Sequence, residues 1–460
     1  MTEKNYIDQF VLEEKGTSPS GDTLCYYVTS TAPKNVEDED KQIDIEKQKE
    51  KLAEIVDHLA EENSEIVIFI HGYANEQKYT EEICQKMLKY ADALKNNSQE
   101  KNNNDEKKKI VFLGYFWPSE KPFTEWCNVV TFLPYLFKWL FFTPPLLFLI
   151  TFVISLILPQ CKILLSILNS YNLLWYLAAF AFFVIVFTLV LLRSLTYFRD
   201  SYRATNYGVP DLVEILRQIE QFVKRKGQNE TKKIKLNFIG YSMGCFVATN
   251  TIRILSDVFD DNAIERNPGS NIGNVFCLGR LVLVAPDIPL LTITSGRANF
   301  LRSSLRRCEE AYVFCNEGDL ALRLASTIAN YISFPAQKRK NGYRLGNISV
   351  KSKDEEYGII KLANDDDTIF DQLEIRLLND KSDVISKEFK CSYKEILANK
   401  FTYFDCTDYI DTQDDAKKYA QGIVSFAKRK PQLNLCDYIC LVFADFVKIP
   451  WRTRIDTHGG

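Results

Sequence analysis

Short apolar runs bounded by glycine, proline and polar clusters alternate along the chain with stretches whose apolar residues recur at helical spacing. Ile66 to Ile70 (IVIFI) is a β-branched run of the kind that forms a buried parallel strand, and it ends at His71-Gly72, a tight turn. A helix is expected from Thr80 to Leu94. The stretch LKNNSQEKNNNDEKKK, around 95–109, is polar and without periodicity and reads as a surface loop. Ile110 to Phe116 (IVFLGYF) is the next strand, ending in Trp117-Pro118-Ser119. Further on, a helix is expected from about Val209, and KIKLNFIGYSMGCFVATNTIRILSDVF reads as strand, sharp turn, helix. Strands then recur in RLVLVAPDIP, ending at Asp287, in EAYVFCNEGDLAL, ending near Asp319, and in KFTYFDCTDYID. Alternating strands and helices predict an α/β fold with a doubly wound, mostly parallel sheet, chemistry lying at the C-terminal ends of the strands. The stretch 338–400 is richer in charge, lacks that rhythm, and reads as an inserted lobe.

Between these parts the pattern changes. From Trp139 to Cys161 and from Tyr171 to Leu192 no side chain is charged, and each run is roughly 20 residues long, the length that crosses a bilayer. Tyr171, Trp175 and Tyr176 at one end of the second run, and Arg193, Arg199 and Arg203 beyond the other, resemble an aromatic belt and a cationic anchor. The expectation is a transmembrane helical hairpin over 126–198, with spans 139–161 and 171–192. It would divide the soluble domain into 1–125 and 199–460. Lys121 and Lys138 before the hairpin and the three arginines after it, against Lys162 alone in the connector, place the soluble parts on the cytoplasmic side.

Charge adds exclusions. Lys and Arg total 57 against 60 Asp and Glu, a formal net charge of -3, so no global basic field invites a nucleic-acid backbone. The N-terminus lacks the apolar core of a secretory signal, so the 12 cysteines are expected as reduced thiols. No Cys-x-x-Cys pair occurs, the nearest being Cys436 and Cys440, and with only His58, His71 and His458 available no metal site is expected.

Gly240-Tyr241-Ser242-Met243-Gly244 fits Gly-x-Ser-x-Gly between an apolar strand and a helix. Ser242 would occupy a strained strand-to-helix turn, and side chains at 240 and 244 would collide with backbone, so both positions want glycine. The Met243 amide at the helix start is one expected oxyanion donor, and the amide of Tyr73, after His71-Gly72, the other. His71 is read as holding its turn by hydrogen bonds, and His58 as a surface or packing residue. That leaves His458, two residues from the end of the chain, as the general base. In the chain order Ser, acid, His the acid is expected after a strand later than the one directly following the nucleophile's helix, which fits Asp319, with Asp287, one strand earlier, as the alternative and Glu317 as a weaker one.

The segments IVIFIHGYANEQ, IVFLGYFWPS, SYRATNYGVPDLVEIL, LNFIGYSMGCFVATN, LVLVAPDIP and AYVFCNEGDLAL resemble the esterase-like α/β-hydrolases of the domain-of-unknown-function 900 group. The shared elements are His71-Gly72-Tyr73, Trp117-Pro118-Ser119, Ser242-Met243-Gly244, Ala285-Pro286-Asp287, and Asp319 with Leu322. The resemblance implies the α/β-hydrolase fold, Ser242 as nucleophile and Asp319 as acid.

Together these readings predict a membrane-anchored serine hydrolase that cleaves esters or thioesters through an acyl-enzyme. It needs no cofactor, and its partners are the bilayer and a small-molecule or lipid ester. The alternative is a hydrolase-fold membrane scaffold without turnover, docking partners through 338–400.

Overall fold

The computed structural model describes residues 6–33, 43–60, 64–73, 75, 77–99, 109–119, scattered positions between 139 and 153, 171–227, 233–256, 269–289, 305–315, 319, 322, 344–347, 349–351, 359–361, 374–376 and 401–406. The chain divides into two compact units, one of residues 1–120, 200–432 and 452–460, the other of 121–199 and 433–451.

The first unit holds the sheet. Its strands are β1 (Phe10–Thr17), β2 (Thr23–Ser30), β3 (Glu65–Ile70), β4 (Ile110–Phe116), β5 (Ile234–Tyr241), β6 (Asn271–Ile272), β7 (Phe276–Val284), β8 (Glu310–Cys315), β10 (Ile359–Lys361) and β12 (Phe401–Asp405). On either side of β10 in sequence, β9 (Ser349–Lys351) and β11 (Glu374–Arg376) form a separate antiparallel pair. Among the described residues the main sheet runs β1-β2-β4-β3-β5-β7-β8-β12-β10, with β6 beside β7. Every pair from β2 to β12 along that path is parallel, while β1, β6 and β10 pair antiparallel. The sheet is therefore mostly parallel, as the sequence predicts. The opening β1–β2 hairpin is an addition, and β10 carries part of the 338–400 stretch into the main sheet.

This order creates the site. From β3 the chain crosses toward β4, whereas from β5 it crosses to the other side, toward β7. The loops leaving β3 and β5 diverge and open a crevice at the carboxyl ends of two adjacent strands.

Five helices are described: α1 (Ile45–His58), α2 (Gln77–Gln99), α3 (Tyr171–Arg203), α4 (Val209–Arg225) and α5 (Met243–Leu255). α2 is longer than the expected 80–94. Asp44 caps α1 by accepting from the Lys47 amide at 3.2 Å, and α1 shields the outer strand. Gln48 Oε1 accepts from the Leu12 amide at 2.7 Å and Lys51 donates to the Leu12 carbonyl, so this edge residue has both main-chain groups satisfied. In α4, Leu212, Ile215, Leu216, Ile219 and Val223 are buried at helical spacing.

Among the described residues no helix is long and apolar enough to cross a membrane, and the hairpin expected over 126–198 is not supported. Of the first expected span only scattered helical positions between 139 and 153 lie within the described residues. The second is not a separate rod of 171–192 but the opening part of the 33-residue α3. That helix runs unbroken past Arg193 and Arg199 to Asp200 and Arg203, which are buried with 3.7 Å between their charged groups.

A π-helical turn, Ala204–Gly208, joins α3 to α4. Tyr115 on β4 donates its hydroxyl to the Gly208 carbonyl at 2.8 Å. One turn on, the buried Asp211 carboxylate accepts from the Ser30 hydroxyl at the end of β2. Burial raises the Asp211 pKa to about 7, with Glu214 adding to the rise and the Ser30 bond opposing it. Because the folded pKa lies above the unfolded one, the native state holds the extra proton, and this contribution to stability is lost as pH rises from about 4 through 7. Asp211→Asn should therefore gain on the wild type as pH is raised from 5 to 8, by up to about 2.7 kcal/mol. Thermal or denaturant unfolding of both proteins across that range measures it. A difference that does not change with pH would show that Asp211 ionises normally.

Candidate active site

Ser242 sits between β5 and α5 with φ 54 and ψ −121, in the left-handed region that a residue with a Cβ enters only under strain. Neighbouring backbone holds it there. Its amide donates to the Val284 carbonyl at 2.9 Å, and its carbonyl accepts from the amides of Cys245 at 3.1 Å and Asp287 at 3.2 Å. The turn is tied both to the helix it starts and to the loop after β7.

The glycines leave no room for side chains. A Cβ on Gly244 would lie 2.3 Å from the Ile70 carbonyl oxygen and 2.5 Å from that of His71, and one on Gly240 would lie 2.7 Å from Cys245 Cα. A Cβ on Gly72 would lie 2.7 Å from Ser242 Cβ. The loop after β3 thus rests directly on the serine turn. Tyr73 follows Gly72 in that loop. Met243 is the first residue of α5, where an amide has no carbonyl partner within its helix.

His71 is fully buried and stacks on the rings of Phe116 at 4.5 Å and Trp117 at 5.0 Å. Nδ1–H donates to the Gly72 carbonyl at 2.7 Å, Nε2 accepts from the Trp117 amide at 3.2 Å, and the Trp117 indole N–H donates to the His71 carbonyl at 3.0 Å. Burial lowers its pKa to about 4, against the two backbone contacts, which act to raise it. A neutral imidazole with both nitrogens engaged holds the loops after β3 and β4 together. The sequence-level role of His71 as a turn-holding residue has this geometry. Ser119 adds a second tie, its hydroxyl accepting from the Asn75 amide at 3.1 Å. His58 contacts the Asp22 carbonyl at 3.1 Å.

Both carboxylates lie beyond the strands that precede them. β7 ends at Val284 and the chain turns out of the sheet at Ala285, whose φ is 45, so Asp287 is a loop residue rather than a strand end. Its carboxylate lies 3.1 Å from the Arg344 guanidinium, both side chains being buried. β8 ends at Cys315. Asp319, fully buried, accepts from the Leu322 amide at 2.9 Å through Oδ1, and its carbonyl accepts from Asn347 at 3.0 Å. Glu317 and His458 lie outside the described residues. Arg344 and Asn347 carry no sequence signal: their contacts are made across the fold.

Residues 166–359 match the family described as alpha/beta hydrolase of unknown function (DUF900). That segment resembles an alpha/beta hydrolase. It is less than half of the chain and includes Ser242, Asp287 and Asp319, with the His71 loop before it and His458 after it. No curated protein and no solved structure matches the chain. Among the described residues no group of His, Cys, Asp and Glu is arranged to hold a metal ion.

The contact distances around Gly244 give a direct test. Gly244→Ala should cost about 3 kcal/mol or more by forcing the β3 loop off the serine turn. Gly269→Ala, where an added Cβ finds open space, should stay within about 0.5 kcal/mol of the wild type. Denaturant titration of the two variants measures both.

Proposed function

We propose that this protein, on the alpha/beta-hydrolase resemblance of residues 166–359, is a serine hydrolase acting on esters or thioesters. The observation that carries the reading is the backbone of Ser242: a non-glycine residue held at positive φ between β5 and α5, at the carboxyl end of a parallel sheet. Such strain persists where surrounding structure over-determines it, and it is concentrated at functional positions.

In this reading Ser242 Oγ attacks the substrate carbonyl carbon and its proton passes to the imidazole of His458. The resulting oxyanion is held by the amides of Met243 and Tyr73. Collapse expels the alcohol or thiol, which takes the proton back from the imidazolium. A water molecule then repeats the sequence on the acyl-enzyme and releases the acid. Asp319 fixes the imidazole tautomer. It is preferred to Asp287 because the Asp287 carboxylate is already paired with Arg344. No step calls for a cofactor.

The substrate side of the proposal is lipid-like. Trp139, Phe142, Leu146, Leu149 and Ile150, together with Phe180, Phe182, Phe183 and Phe187 on α3, are exposed apolar side chains. Apolar surface of this kind favours a bilayer over water, so the protein is proposed to act at a membrane, with acyl lipids or acylated proteins as substrates.

A fluorophosphonate probe applied to the full chain in membranes should label the wild type. Labelling should fall by about a hundredfold or more in Ser242→Ala, Asp319→Asn and His458→Ala. A folded wild type that does not label would overturn the serine mechanism. Recovery of the protein in the soluble fraction rather than with membranes would overturn its placement at a membrane.

A further inference from the structure

The turn at 344–347 touches both carboxylate-bearing loops. Arg344 and Pro289 form an antiparallel bridge, the Leu345 amide donates to the Ile288 carbonyl at 2.8 Å, and the Gly346 amide donates to the Pro286 carbonyl at 2.9 Å. Gly346 fits so closely that a Cβ there would lie 2.4 Å from Ala285 C, 2.5 Å from Pro286 N and 2.6 Å from Leu322 Cδ1. On one side Arg344 Nε approaches Asp287 Oδ1 at 3.1 Å. On the other, Asn347 Nδ2 donates to the Asp319 carbonyl at 3.0 Å.

Asp287 is itself tied to the serine turn, its amide donating to the Ser242 carbonyl at 3.2 Å. A continuous set of contacts therefore runs from Ser242 through Asp287, Arg344 and Asn347 to Asp319. We propose that 344–347 is a clasp that sets the position of Asp319 relative to Ser242, with Arg344 and Asn347 as positioning residues. The proposal rests on the reading of Ser242 as nucleophile and Asp319 as acid.

The chemistry suits that role. An apolar contact would hold the two loops together without selecting a partner, whereas a buried pair of opposite charges favours one contact, here Arg344 Nε with Asp287 Oδ1. Burying the pair costs desolvation, and the fold bears that cost beside the serine turn rather than at its periphery. Arg344 acts on the nucleophile side, through Asp287. Asn347 acts on the acid side, through the Asp319 main chain, so the two residues can be tested separately.

The test uses the full chain in membranes and the fluorophosphonate probe, measuring the maximal labelling rate and the probe concentration giving half of it, with thermal unfolding alongside. Asn347→Ala and Arg344→Ala should each lower the maximal rate by about tenfold or more, as expected for groups displaced by a fraction of an ångström to an ångström. The half-saturating concentration should remain near that of the wild type. Arg344→Lys, which keeps the charge but not the guanidinium plane, should recover part of the rate.

A purely structural role would instead lower the labelled fraction in step with the folded fraction while the rate per folded molecule stayed at the wild-type value, and that result would overturn the proposal. So would wild-type rates in both alanine variants. If Arg344→Ala does not fold, Asn347→Ala, which leaves the ion pair intact, decides alone. A wild type that fails to label removes the serine mechanism and the clasp with it; a labelling wild type with unaffected variants removes the clasp only.

Discussion

Backbone lies against backbone where the loop after β3 meets the start of α5, and the rest of the candidate site depends on that contact. Gly244 fits against the carbonyl oxygens of Ile70 and His71, and Gly72 against the Ser242 side chain, at distances no Cβ could share. Only with these side chains absent can a serine at φ 54 stand beside an amide-bearing loop. Strain at such a residue costs on the order of 1–3 kcal/mol. It is held by main-chain hydrogen bonds to Val284, Asp287 and Cys245, on strands whose side chains are buried on both faces. Sheet order, glycine placement and strain are parts of one constraint.

The same constraint explains what could be read in advance. β3 and β4 are apolar runs that stop within two residues of a glycine or proline, a local signal, and the structure places them within a residue of the expected limits. Glycine at 240 and 244 follows from chemistry that acts within five residues. The β1–β2 hairpin was missed although Gly16, Pro19 and Gly21 mark its turn region, because alternation there is weak: β2 is buried at nearly every position. The clasp could not have been found, since Arg344 and Asp287 are far apart in sequence and nothing near either residue announces the other. As strings of residues, Asp287 and Asp319 look alike, each following an apolar strand. Among the described contacts, the guanidinium at 3.1 Å marks Asp287. Hydropathy finds an apolar stretch at 171–192 but says nothing about whether its helix stops there, and α3 continues to Arg203.

Histidine use follows from burial. An imidazole that serves as a general base must gain and lose a proton near neutral pH. His71, with a pKa lowered to about 4 and both nitrogens occupied by main-chain groups, is built to remain neutral. Its folded pKa lies below the unfolded value near 6.5, so its contribution is complete above that pH and is lost as pH falls toward 4. Asp211 runs the opposite way, losing its contribution as pH rises toward 7. The two windows overlap between about pH 4 and 6.5, where the contributions change in opposite directions and largely offset.

These two groups are also joined by contact. Asp211 begins α4 just after the π-turn whose last residue, Gly208, accepts from Tyr115 and leaves only 3.2 Å between an added Cβ and Trp117. Trp117 in turn bonds His71 through both its main-chain and indole N–H groups, and His71 bonds the carbonyl of Gly72, the residue packed on Ser242. Each link is a hydrogen bond or a ring face against backbone, with no long flexible side chain among them. Close-packed interiors have few voids to absorb a displacement. Seen this way, the Trp117-Pro118-Ser119 segment is the brace that fixes the expected oxyanion loop from the side away from the serine turn. Its bulk is useful because the strained residue opposite can hold its geometry only between two rigid surfaces.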